Sequence, residues 1–414
     1  MASVLAQGQS RDSASGGQES SPGRSQVSLR YRRTLPVAGG LYLRLLQITN
    51  DFPPSVGGIE NIVYSLASRW SSDEIFVLTR WMQGCEEFDR ELPFEVERLP
   101  VGTLLPDRAL LRTVRRIVEE NQVDVIHFAT PLPLGLIGPA LRQSHGVPYA
   151  TSIMGADFVL TASLPGARAA ARYVLEQSSL IIPLSGYLAR QAASLLTDES
   201  RIEVIPPGVD TNLFSPRAVP ILARQGMPVI VFASRLVERK GATTLIRAMP
   251  SVKAALPGAH ALIIGGGPKR YVARLRSVAA NLRVLEAITF AGPQPWDRLP
   301  GFYTSGDLLA VPTRERFGGI ETEGFGMVYL EAAACGLPVV AGRSGGVEDA
   351  VKPGETGYLV DGADPDATAE AIIRLGEDPA NAEQMGRRGR DWMTEEFEWP
   401  AIAARFEEAL RKVV

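Results

Sequence analysis

From Leu41 onward the chain alternates short apolar runs with longer stretches in which apolar residues recur every three or four positions. LYLRLLQIT is followed by a helical pattern from Ile59 to Trp70, EIFVLT by a second from Arg108 to Glu120, and VDVIHF begins the next unit. SLIIPLS (179 to 185) and IEVIPP (202 to 207) are apolar without strict alternation. Strands covered by helices on both faces of a parallel sheet read this way, so the pattern predicts an α/β unit.

The stretch from Pro206 to Pro228 is rich in Pro and turn residues and reads as an interdomain connection. Beyond it VIVFAS, HALIIGG, ITFAG, DLLAVP and PVVAG again separate helical patterns. Two doubly wound, Rossmann-like domains facing across a cleft are therefore predicted, over residues 39 to 215 and 216 to 397. The amphipathic segment 398 to 414, with Ile402, Phe406 and Leu410 on one face, is predicted to be a helix packing back toward the N-terminal domain. Residues 1 to 38, rich in Ser, Gly, Gln and Arg, cannot bury enough surface to offset the entropy of ordering and are predicted to form a disordered tail.

Composition narrows the function. The chain has 414 residues, 45% of them hydrophobic and 21% charged, and no apolar run approaches the roughly 20 residues that span a bilayer. A formal net charge of -3 gives no general attraction to nucleic acid. Cys85 and Cys335 lie far apart, which suits a reducing compartment, and His127, His145 and His260 are too scattered to suggest a metal cluster. A cytoplasmic protein with a local anion site is expected.

In open α/β sheets ligands bind at the C-terminal ends of the strands, so the candidate chemistry lies in the strand-end loops. In PPSVGGIEN, Gly57 and Gly58 fall between strand and helix, where backbone amides can approach an anion closely. The spacing does not match the dinucleotide-binding glycine fingerprint. SRLVERKG (234 to 241) places Arg235 and Lys240 at a strand end, where a guanidinium and an ammonium can neutralise a diphosphate and the charge of its departure; the competing explanation is that these two are solvated surface cations beside Arg239. The GGGP turn from Gly265 to Pro268, with Gly266 at its centre, is a similar loop.

In EGFGMVYLEAAACG, a helix starting near Phe325 or Gly326 would turn its free amides, Met327 included, toward phosphate or sugar oxygens. Glu323 ahead of that helix can accept from sugar hydroxyls, and Glu331 inside it can accept from both hydroxyls of a ribose. Val328, Leu330 and Ala332 to Ala334 are expected on the sheet side, and Cys335 as a small core residue. For an isolated pair of glutamates, capping and helix-dipole stabilisation is the competing explanation.

Taken together, the GG loop, SRLVERKG, GGGP, the Glu323 to Glu331 spacing and the ACGLPVVAG and GGVED stretches resemble glycosyltransferase family 4, which has the GT-B fold. VPTRERFGGIETEGFGMVYLEAAACGLPVVAG is similar to the actinobacterial GDP-mannose-dependent phosphatidylinositol-monomannoside mannosyltransferases, with a Gly-rich insertion just before the first glutamate. The resemblance implies a metal-independent, retaining hexosyltransferase with no cofactor. Arg235 and Lys240 would bind the donor diphosphate, Glu323 the donor sugar, Glu331 the ribose, and Gly58 would lie under the phosphate. The donor phosphate itself would help deprotonate the acceptor. Many relatives carry His-Gly-x-Asp or His-Gly-x-Glu in the N-terminal domain, with the histidine near the donor sugar. Here the segment reads Met154-Gly155-Ala156-Asp157, and a thioether cannot donate a hydrogen bond to a sugar hydroxyl. His127 is expected to be a satisfied strand-end histidine.

The helix from Arg108 to Asn121 sets Arg108, Arg112, Arg115 and Arg116 beside Leu110, Leu111, Val114 and Ile117. Such a face can sit on an anionic bilayer, which would suit a lipid-linked acceptor at the inner face of the membrane, or it can simply pack on its own sheet. A small polyol is the other acceptor class. The alternatives left open are a UDP-sugar-dependent transferase of natural-product or cell-surface glycan synthesis, another enzyme on the same scaffold such as an epimerase or phosphorylase, and a catalytically impaired nucleotide-sugar-binding protein.

Overall fold

The structure, a computed structural model, describes residues 42–71, 74–155, 157–223 and 226–414. The tail expected over residues 1 to 38 lies outside them. Two six-stranded parallel sheets organise the chain. The first is built from β1 (Leu45–Ile48), β2 (Ile75–Arg80), β3 (Glu95–Leu99), β4 (Val125–Phe128), β5 (Tyr149–Ile153) and β6 (Leu180–Pro183), in the order 3-2-1-4-5-6. The second repeats this order with β7 (Val229–Ala233), β8 (His260–Ile264), β9 (Ile288–Gly292), β10 (Leu308–Val311), β11 (Val339–Gly342) and β12 (Gly357–Val360), arranged 12-11-10-7-8-9. Both are Rossmann-type doubly wound sheets, and the strand order reverses between β1 and β4 in one and between β7 and β10 in the other.

Why these residues form strands is visible in their burial. β1, β4, β7 and β8 are buried along their whole length, so apolar residues cover both faces and no alternation survives in the sequence. Other strands depart from that pattern, three of them instructively. β3, EVERL, is an edge strand that is half-buried at best, so solvent admits its charged residues. β5, YATSI, is fully buried yet carries Thr151 and Ser152, whose hydroxyls bond inside the sheet layer to Ser178 and His127. β12 is a short edge strand.

The strand expected over residues 202 to 207 does not form. Arg201, Glu203 and Ile205 exchange hydrogen bonds with β6 only at Ile181 and Pro183, and the ladder stops where Pro206 and Pro207 remove the next two donors. The C-terminal helix Trp399–Arg411 packs on the helix Gly58–Ser68 of the first sheet. Its Phe406 ring lies 4.9 Å from His127 and 6.4 Å from Trp70, and Glu407 accepts from the Ser71 hydroxyl at 2.8 Å. His127 is buried, bonded to Ser152 and Gln47, and burial pushes it down to about 3, so it is a neutral packing residue.

Candidate active site

The loops leaving β1, β7, β8 and β9 and the helix that follows β10 surround a cavity of about 570 Å³. From the N-terminal sheet come Pro53 to Gly58, then Asn61 and Tyr64 of the following helix, and Phe88. From the C-terminal sheet come Ser234 and Arg235 after β7, Gly265 and Gly266 after β8, and Pro293, Gln294 and Trp296 after β9, with Tyr303. Met327, Val328 and Glu331 of the helix Met327–Ala334 complete the wall. The cavity lies at the C-terminal ends of both sheets, where parallel α/β sheets place their ligands.

Glycine makes the close approaches possible. At Gly265, φ is +138° and a Cβ would stand 1.9 Å from the Ser234 carbonyl oxygen, so only glycine lets the β7 and β8 loops touch. Gly58 is different: a Cβ there would meet nothing within 4 Å, and the space it would enter is the cavity. Gly57 is in ordinary extended backbone, with the carboxylate of Glu60 lying against it and accepting from the Ser55 hydroxyl. A left-handed turn is therefore not what this glycine pair supplies.

The two glutamates are held quite differently. Glu331 faces the cavity, accepts from the Tyr303 hydroxyl at 2.8 Å and has no cation bonded to it among the described residues. Burial raises its carboxyl, while the Tyr303 and Trp296 donors pull it back. Glu323 stands in the loop before the helix, outside the cavity's lining residues, with Lys240 Nζ and Arg239 Nη1 each donating to its Oε2 at 2.6 Å. Burial pushes this carboxyl up, but Lys240 and Arg239 outweigh it and hold Glu323 below the usual carboxylate range. Burial, with Arg239 and Arg235 nearby, also draws the Lys240 ammonium down, against the pull of Glu323. Arg235 reaches the cavity wall exposed and has no carboxylate partner among the described residues. Arg235, Arg239 and Lys240 thus stand against Glu323, while Glu238 of the same loop is paired outside it with Arg274 and Arg314, which leaves a cationic surplus suited to a dianionic ligand.

The helix starts within a residue of where the sequence places it, and two other expectations need correction. The helix begins at Met327, with Gly326 as its N-cap at φ +105°, where a Cβ would strike the Tyr329 ring. Phe325 is buried with its ring 6.1 Å from Phe397, so it supports the loop from behind and does not line the cavity. Val328 points into the cavity instead of onto the sheet, because the eight-residue helix presents its first turn to the opening. Arg239, which the sequence leaves without a role, has a side chain only 13% exposed and bonded to Glu323. The sequence pattern also gave no hint of Tyr303 or Trp296, since each comes from an element far from Glu331 in the chain.

The N-terminal side is less polar. Met154 is buried in the core, and its carbonyl and Gly155 abut Gly324, the residue after Glu323. Asp157 opens the short helix Asp157–Ser163. Across the same seam the Ser185 hydroxyl donates to the Gly324 carbonyl at 2.9 Å and the Gly186 amide donates to Asp349 at 2.7 Å. The Gly-rich insertion forms a small hairpin closed by an Arg316–Glu321 ion pair, with Phe317 exposed at its tip.

In the basic helix Arg108–Asn121, Leu110, Val114, Ile117 and Val118 are buried on its own sheet, and Arg116 is paired with Glu97 and Glu120. Its apolar face is therefore occupied, and only the cations remain for a bilayer. Among the described residues no group of three or more His, Cys, Asp or Glu is placed to hold a metal ion, and no helix is long and apolar enough to cross a membrane.

Residues 56–213 match the family described as Glycosyltransferase Family 4 and residues 219–392 the family described as Glycosyl transferases group 1. The chain is 36% identical, over 88% of its own length and 98% of the relative's, to the GDP-mannose-dependent alpha-(1-6)-phosphatidylinositol monomannoside mannosyltransferase of Mycolicibacterium smegmatis. This chain belongs to glycosyltransferase family 4. The glycosyltransferase is also 34% identical, over 89% of its length and 98% of the relative's, to the GDP-mannose-dependent monoacylated alpha-(1-6)-phosphatidylinositol monomannoside mannosyltransferase of Corynebacterium glutamicum. Its fold matches that of a sucrose-phosphate synthase from Thermosynechococcus elongatus, with a TM-score of 0.71 and 24% identity over 90% of this chain and 99% of that one. A glycosyltransferase from Rickettsia africae superposes with a TM-score of 0.73 at 17% identity, covering 90% and 98% of the two chains. The glycosyltransferase therefore has the GT-B fold.

Proposed function

We propose that this glycosyltransferase moves mannose from GDP-mannose to a lipid-linked, inositol-bearing acceptor, with retention of anomeric configuration and no metal. The observation that carries the reading is the match to mannosyltransferases of that description over 98% of their length, on a cleft whose polar groups suit a nucleotide sugar. In this assignment Arg235 and Lys240 meet the diphosphate, Glu331 accepts from the ribose hydroxyls, and Glu323 accepts from the sugar. Gly57, Gly58, Gly266 and the first amides of the Met327 helix border the phosphate path. Met154, Gly155 and Asp157 stand on the acceptor side, where Met154 contributes packing and no hydrogen bond.

In the reaction the acceptor oxygen bonds to the sugar's anomeric carbon as that carbon's bond to the diphosphate oxygen breaks. The acceptor proton passes to the departing phosphate, and the cations at Arg235 and Lys240 stabilise the charge left there. Peripheral contact with an anionic membrane at the cytoplasmic face would bring the lipid to the cleft, with Arg108 and Arg112 as exposed cations.

The test is release of nucleotide from a panel of GDP- and UDP-sugars, with and without vesicles containing phosphatidylinositol monomannoside. GDP release from GDP-mannose that requires the acceptor supports the reading. Preference for a UDP-sugar overturns the donor assignment, and donor binding without turnover on any acceptor favours a silent binding protein. Flotation with anionic vesicles at low salt tests the membrane contact, and absence of binding removes it.

A further inference from the structure

The second cation on Glu323 has no place in the assignment above, which needs only Lys240 and Arg235. Arg239 and Lys240 donate to the same oxygen, Oε2, at 2.6 Å each, and no hydrogen bond from the protein reaches Oε1 among the described residues. Nor is Oε1 a buried orphan, so solvent or a ligand can reach it. The two segments that carry this contact are fixed. The Arg239 carbonyl accepts from the Arg314 amide at 2.8 Å, and two residues on Gly241 packs so tightly that a Cβ would stand 1.9 Å from the Pro312 carbonyl oxygen. On the other side the Glu323 amide donates to Ser344 Oγ at 3.2 Å.

Lys240 and Arg239 are not equivalent partners. Lysine is a compact ammonium with three donors on a flexible stem, able to turn from a carboxylate toward a diphosphate carrying more charge. Arginine presents a rigid fork, and this one is already committed to Glu323 with little exposure. Once Lys240 engages the diphosphate, a buried Glu323 without Arg239 would lose its counter-charge and tend to take up a proton, and a protonated carboxyl is a weaker acceptor for sugar hydroxyls.

We propose that Arg239 is a positioning residue for the donor sugar: it keeps Glu323 charged and oriented, with Oε1 free for a sugar hydroxyl, while Lys240 is drawn onto the diphosphate. This rests on the reading that Glu323 meets the sugar and Lys240 the phosphates.

The experiment compares GDP and GDP-mannose binding by calorimetry, together with kcat and KM for transfer, in the full chain and in Arg239→Met, Arg239→Lys and Lys240→Met. Arg239→Met should leave GDP affinity within about twofold, weaken GDP-mannose affinity about tenfold and lower kcat by more than KM rises, as loss of a charge-assisted hydrogen bond to the sugar requires. Arg239→Lys, which keeps the charge and the fold, should recover most of kcat. Lys240→Met should weaken GDP and GDP-mannose alike. Equal weakening of both ligands by Arg239→Met would make Arg239 a phosphate ligand and overturn the proposal, as would full kcat in that variant or no recovery in Arg239→Lys. If Arg239→Met does not fold, Arg239→Lys with weakened GDP binding also overturns it. Failure of the underlying reading shows separately, as a wild-type chain that binds no GDP-mannose.

Discussion

The two walls of the cleft are built on the same sheet order but on different chemistry. The C-terminal wall brings three cations and two carboxylates to the ends of β7 and β10, with one carboxylate shared between Lys240 and Arg239 and the other bonded to Tyr303. The N-terminal wall contributes Pro53 to Gly58, Asn61, Tyr64 and Phe88 to the cavity, and Met154 is buried behind it, outside the lining. One wall holds charge and the other supplies shape. Donor recognition should therefore respond sharply to changes in the first and mildly to changes at Met154 in the second.

The largest effect is expected at Glu323. Glu323→Gln keeps the volume but loses the charge that Lys240 and Arg239 share, and turnover should fall about a hundredfold to a thousandfold, the scale of removing one preorganised charge contact. Unchanged turnover, measured as acceptor-dependent GDP release, would take Glu323 out of the site.

Glu331→Gln comes next. Loss of a charged acceptor for the ribose should raise the donor KM about tenfold to a hundredfold. The same change should stabilise the protein at neutral pH. Glu331's folded-state carboxyl lies above its ordinary 4.5, so between that value and the folded one the folded state holds more protons than the unfolded state. Stability therefore drops as pH rises through that window, and glutamine removes the drop. The gain should be seen in thermal melts at pH 7 and vanish below about pH 4.5. Glu323 has the opposite sign: its contribution is present above 4.5 and is lost as pH falls through its depressed folded value.

Gly58→Val probes the N-terminal wall where it faces the ligand. Nothing within 4 Å opposes a Cβ there, so the melting temperature should hold while the intruding side chain weakens donor binding about tenfold. Unaltered donor affinity would show that the phosphate path does not run past this helix start. Met154→Leu should do least, leaving turnover within about threefold because one buried apolar side chain replaces another of similar volume. A larger loss of kcat with an intact fold would restore a direct role to that position and erase the contrast between the walls.

Much of this contrast could be read from the sequence, and the reason is local. Arg235 and Lys240 directly follow a buried apolar strand, and Glu323 and Glu331 flank the start of the Met327 helix at a fixed spacing, so pattern and spacing together locate them. Arg239 was equally visible, but a third charge beside two others looks the same in sequence whether it is solvated or buried against a carboxylate. Tyr303 and Trp296 reach Glu331 only through the folding of β9 and the segment after it beside the Met327 helix, which no spacing encodes. β3 and β5 stayed hidden for opposite reasons, one an edge strand with charged residues, the other a central strand whose polar residues are satisfied inside the fold.

The most direct measurement is a structure of the protein with bound GDP-mannose. The account expects the diphosphate on Arg235 and Lys240, the ribose hydroxyls on Glu331, and a mannose hydroxyl on Glu323 Oε1 with Arg239 still on Oε2. A nucleotide seated away from Glu331, or a sugar that makes no contact with Glu323, would contradict it.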